Sequence, residues 1–140
     1  MNVSPPYFAR DVRMIMSLEK VARLANDDIA RAVEVVAQEF VASGGYGSFH
    51  MHLASNETIL RAFRSTVSEM TGEARRFNKE MVREHLDSLL SGIIDSVLAE
   101  RRVRLFSANA AADDSTALCA SLHHDMKRLK DIAVRKFAVM

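Results

Sequence analysis

The run His50-Met51-His52 offers two imidazoles one residue apart. In an extended segment such a pair points to one side and can hold a metal ion or a small acid, with His85 as a further nitrogen from elsewhere in the chain. A zinc site needs three or four ligands, and the chain has a single cysteine and no HExxH or paired CxxC to complete one. The plainer use of this run is to cover the end of a helical core. Glu73, Glu80, Glu84, Asp87 and Ser91 form a second group, an acidic row. A carboxylate-bridged metal centre in a bundle needs Glu-x-x-His from facing helices, and that spacing is absent, so this row is expected in solvent.

The third group is His123-His124-Asp125-Met126-Lys127. With Leu118, Leu122 and Leu129 turned inward, His124 points away from the core. Over these residues the chain resembles the phosphoacceptor helix of some histidine kinases and phosphotransfer proteins. That resemblance implies a phosphotransfer bundle with His124 as the acceptor. Cys119 falls on the apolar side of the same helix, where an inert buried thiol is the ordinary outcome. No Ser-His-Asp spacing, phosphate-binding glycine loop or dinucleotide fingerprint is present, so no residue supports catalysis and no cofactor is implied.

The elements that must position these residues are helical. Of 140 residues, 49% are apolar and 26% charged, and the two prolines and five glycines leave most of the chain free of helix breakers. The expectation is a single all-α domain over residues 1–140, an antiparallel bundle of four to five helices. A net charge of +1 gives no electrostatic case for nucleic acid, although Arg101, Arg102, Arg104, Lys127, Arg128, Lys130, Arg135 and Lys136 make the C-terminal third more basic. No apolar run reaches the length of a membrane span and the first residues lack a signal-peptide pattern. With one cysteine, these features point to a reducing cytoplasm.

Ser4-Pro5-Pro6 resembles a helix start, and the first helix is expected from about Pro6 to Ala25. Asn26 or Asp27 then caps a second, carrying Ile29, Val33, Val36 and Phe40 on one stripe until Ser43-Gly44-Gly45. Residues 44–54 lack helical periodicity and are expected as a loop, followed by a cap at Ser55 or Asn56. Glu100 to Arg104 brings cations to a helix end, residues 107–114 form a connection, and Asp113, Asp114 or Ser115 caps the last helix. Its inner face is Leu118, Leu122, Met126, Leu129, Ile132, Ala133 and Phe137.

The third region holds a discontinuity. Ile59, Phe63, Val67, Met70, Ala74, Phe77 and Met81 share one stripe when each residue is turned by about 100°. Leu86, Leu89, Leu90, Ile93 and Val97 sit about 140–180° away from its continuation. Either the helix breaks near Thr71-Gly72 or Asn78, or one long helix offers opposite faces to different partners and is shared in a dimer. The leading expectation is a small cytoplasmic interaction module, a regulator, adaptor or chaperone-like protein. It would form a homo-oligomer or bind a protein partner through Leu86, Leu90, Ile93 and Val97. The alternative is a sensory bundle whose 44–54 loop closes over a metal or small acid held by His50, His52 or His85.

Overall fold

A computed structural model describes the backbone of residues 5–77 and 79–139, and side chains at 12, 13, 15–77 and 82–137. It contains four helices: α1 (Pro5–Ser43), α2 (Phe49–Ala74), α3 (Lys79–Ser107) and α4 (Ala112–Val139). There are no strands among the described residues.

The first two expected helices are one. Leu18, Ala22, Ala25, Ile29 and Val33 are all buried, so the apolar stripe passes unbroken through Asn26-Asp27-Asp28. Asn and Asp inside a helix cost only about 0.7 kcal/mol each relative to Ala, and a continuous buried face outweighs that. The helix ends in a Schellman turn: Gly45 N–H donates to the Phe40 carbonyl at 2.8 Å and Gly44 N–H to that of Val41 at 3.2 Å. Gly44 sits at φ 79°, a left-handed conformation that a residue without Cβ adopts freely. α3 closes in the same way around Asn109 at φ 57°, with Ala110 N–H on the Leu105 carbonyl at 3.0 Å.

The second correction concerns residues 44–54. The loop is only 44–48, and the cap is Ser48, whose side chain accepts a hydrogen bond from Met51 N–H at 3.1 Å. Ser55 and Asn56 are interior to α2 and buried. Met51, Ser55, Ile59 and Phe63 recur every four residues as buried positions, so the α2 stripe already begins inside the segment expected as loop.

The discontinuity is a chain reversal. After Ala74 the bonds tighten, with Arg76 N–H on the Glu73 carbonyl at 3.3 Å and Phe77 N–H on that of Ala74 at 3.1 Å. Lys79 opens a new helix. Asn78 and the side chains of Glu80 and Met81 lie outside the described residues. The long shared helix is therefore replaced by two helices, and both stripes face one interior.

α1 packs on α2 and α3 on α4, while α1 also lies beside α3 and α2 beside α4. Two antiparallel hairpins thus stand side by side. Near the end of both α1 and α3, Glu34 pairs with Arg104 at 3.1 Å, so these two helices run parallel. Near the start of both α2 and α4, the Asn56 amide donates to the Leu118 carbonyl at 3.1 Å. The core between them holds Phe63, Met70, Leu86, Leu90, Leu122, Met126 and Phe137.

Candidate functional site

The sequence-derived candidates do not converge. On a helix, residues two apart are turned by about 200°, so His50 and His52 point to nearly opposite sides. His50 is exposed and His52 is 3% exposed. His85 is half-buried near the start of α3, at the end of the bundle far from His52. No group of three His, Cys, Asp or Glu able to hold a metal ion exists among the described residues. The acidic row is not wholly solvated either. Asp87 pairs with Lys130 at 2.8 Å and Ser91 accepts from the same ammonium at 3.1 Å, joining α3 to α4. His123 and His124 are exposed and Cys119 is buried.

Leu86, Leu90, Ile93 and Val97 are buried in the chain's own core. Their surface is already filled by neighbouring helices. They cannot anchor a partner while the bundle is closed, and the interaction surface expected there is corrected accordingly.

What the fold does assemble is a network around Arg101. Its side chain is 3% exposed, yet it forms no ion pair among the described residues. The guanidinium Nε donates to Asn56 Oδ1 at 2.9 Å and Nη2 to the His52 carbonyl at 2.8 Å. Through Asn56 and the Leu118 carbonyl, this one residue ties α3 to α2 and α4. Burial of the charged form lowers its pKa to about 10, with the Arg104 charge adding to the effect and Cys119 opposing it. At neutral pH it remains a cation held by neutral oxygens.

A cleft of about 360 Å³ opens beside this cation between α1 and α3. Ile29, Ala30 and Val33 of α1 and Val97 of α3 make its walls, and Ile59 of α2 lies beneath. Ala30 and Ser96 are short side chains where two parallel helices approach, which is why space remains there. Arg101 and Arg104 stand at one end and Asn26 and Ser96 at the other. Arg104 is shared by Glu34 at 3.1 Å and Glu100 at 3.2 Å, a group with one net negative charge, while Arg101 beside it has no carboxylate in direct contact among the described residues. Asn26 Oδ1 is enclosed and has no hydrogen-bond partner. The 44–48 loop does not close this cleft. It lies against the α3–α4 connection, where a Cβ added to Gly47 would stand 3.5 Å from the Ala108 carbonyl oxygen.

His52 is the other consequence of the network. Both ring nitrogens lack hydrogen-bond partners. Burial lowers its pKa below the ordinary 6.5, the Arg101 charge adds to this, and the Gly47 carbonyl and Asp114 pull the other way. His52 is therefore a neutral core side chain, unsuited to act as a cationic ligand contact.

Arg101 was legible as a helix-end cation, but not as a buried one. Ile94, Leu98, Arg101 and Leu105 follow one another at intervals of three and four, so extending the α3 stripe past Val97 would have placed Arg101 inside. No family model, curated protein or solved structure matches this chain. The class that fold and site define is thus an all-helical bundle with a mostly apolar inter-helix cleft beside a buried arginine. No described helix is long and apolar enough to cross a membrane.

Proposed function

We propose that this chain is a small-molecule-binding helical bundle, a sensory or regulatory module that takes up a small organic anion in the α1/α3 cleft. The observation that supports it is Arg101, a buried cation without a carboxylate, next to an apolar cleft. A charge removed from water is costly unless an opposite charge meets it. An anion entering the cleft supplies that charge, and the apolar walls take up its hydrocarbon part. The Ser96 hydroxyl has no histidine beside it in the lining, and Glu100 is held by Arg104, so binding rather than turnover is the proposed activity. A reducing cytoplasm suits its lone buried cysteine.

Calorimetric titration of the intact chain with small monocarboxylic acids, their neutral amides and matched amines tests this reading. Acids are expected to bind and to raise Tm. Saturation at a hundredfold excess over Kd corresponds to roughly 2.7 kcal/mol. Absence of any acid binding, or equal binding of acids and amides, refutes it.

Self-association is a second reading with its own observation. Val103 and Phe106 on the last turns of α3 are 61% and 84% exposed, beside no described apolar cover. Such a pair suits a homodimer or protein-partner contact. Light scattering coupled to size exclusion across a concentration range decides it: a homodimer that Phe106→Ser disperses supports the contact, and an invariant monomer removes the homodimer.

A further inference from the structure

α2 and α4 form the side of the bundle opposite the α1/α3 cleft, and the two halves of the groove between them differ in charge. Near the helix starts the lining carries Glu57, Asp114 and Asp125 and no cation, beside Phe49 and Leu53, which are 50% and 42% exposed. Near the helix ends it carries Arg64, Arg75 and Lys136 and no carboxylate, around Leu129 and Ile132. Glu57, Asp114, Arg64 and Lys136 are exposed and form no ion pair among the described residues. An acidic apolar half and a basic apolar half on one face complement each other, rather than a partner of a single charge sign.

Because α2 and α4 run parallel, a two-fold axis lying in the interface across both helices sets each half of this face on the other half of a second copy. On α2, the register that brings Glu57 to Arg64 of the copy also brings Leu53 to Ser68 and Phe49 to Gly72. Gly72 is exposed and the position of its missing Cβ has no atom within 4 Å, so an aromatic ring can lie against the helix there. On α4, the register that brings Asp114 to Lys136 brings Ala117 to Ala133 and Ser121 to Leu129. Asn56 sits beside the Leu118 carbonyl, and by that measure the two registers place the axis within about three residues of one level, or ~4 Å, less than the reach of a lysine side chain. Near the axis, Asp125 of each copy stands about one turn from the exposed Arg128 of the other. The 26 residues of α2 span roughly 39 Å, so a face two helices wide covers roughly 780 Å² per copy, close to the ~800 Å² per partner of a stable interface.

We infer that the α2/α4 face docks a second copy of this chain in antiparallel two-fold register, joining Glu57 to Arg64 and Asp114 to Lys136 across the interface. This contact is separate from Val103 and Phe106 on α3 and leaves the α1/α3 cleft open.

The test is light scattering coupled to size exclusion on the intact chain across a concentration series, with circular dichroism confirming that each variant is folded. It compares the unaltered protein with Asp114→Lys, Lys136→Asp, an equimolar mixture of these two, Gly72→Gln and Phe106→Ser. Each substitution occurs twice in a two-fold dimer, so either charge reversal is expected to weaken self-association at least about tenfold. Mixing the two restores opposite charges at both contacts, so two monomeric variants should form a heterodimer. Gly72→Gln occupies the space for Phe49 and should leave a folded monomer, whereas Phe106→Ser should dimerise as the unaltered chain does. A chain that stays monomeric up to about 1 mM, a dimer that survives either charge reversal, or a mixture that stays monomeric overturns the inference. So does a dimer dispersed by Phe106→Ser alone, which assigns the contact to the end of α3.

Discussion

Acidification should destabilise this fold through His52 in particular. In the folded chain its imidazole is 3% exposed, without partners for either nitrogen and near the Arg101 charge, and its pKa is held below 6.5. In the unfolded chain it titrates near its ordinary value. A base with a depressed folded pKa contributes stability that is fully present above the unfolded pKa. That contribution is lost as pH falls from about 6.5 toward the folded value, because the unfolded state binds the extra proton. The slope is about 1.4 kcal/mol per pH unit in that window. Between pH 7.5 and 5.5 the integrated loss from this one residue is up to about 1.4 kcal/mol, or roughly 5 °C in Tm for a chain of this size.

His52→Leu removes the titrating ring but keeps the backbone carbonyl that Arg101 uses, so the network survives. Urea unfolding of both proteins at pH 7.5 and 5.5 isolates the effect, since the other histidines are common to both and cancel in the difference. The unaltered chain should lose more stability than His52→Leu over this interval, by at most about 1.4 kcal/mol. Equal losses in the two proteins would refute the placement of a neutral imidazole in the core.

Asn56→Asp gives Arg101 a carboxylate and should abolish uptake of monocarboxylates in the calorimetric assay, since the cation is then neutralised from within. Leu90→Asp buries a charge in the filled core and should unfold the chain at every protein concentration by circular dichroism, rather than merely dissociate an oligomer. Ser48→Ala removes the α2 cap and should cost about 1 kcal/mol by urea denaturation. Gly44→Ala, forced to φ 79°, should cost about 1–2 kcal/mol by the same measurement with no loss of carboxylate binding.

The all-helical architecture was legible in residue types, because four amphipathic stripes and a scarcity of Gly and Pro leave little else to build. The reversal after α2 was legible as an alternative, since a stripe that changes side needs either a second partner or a second helix. The long α1 was not. Asn26-Asp27-Asp28 reads locally as a cap, and only the neighbours that bury Ala22, Ala25 and Ile29 keep the helix continuous. The same limit hid the start of α2, where the glycine-rich stretch ended at residue 47 and Ser48 rather than Ser55 met the free amides.

By itself the sequence determined which faces are apolar, that the chain turns at Gly44 and Gly45, and that His124 lies outward. Tertiary structure alone decided that Leu86 to Val97 close on this chain's own helices, because filling that surface depends on three other elements packing together. It also decided the fate of Arg101. A helix-end arginine ordinarily reaches water, and only the crossing of α2, α3 and α4 encloses this one between Asn56 and the His52 carbonyl. The buried cation beside a cleft belongs to that crossing, since no stretch of chain contains both the cation and the space next to it.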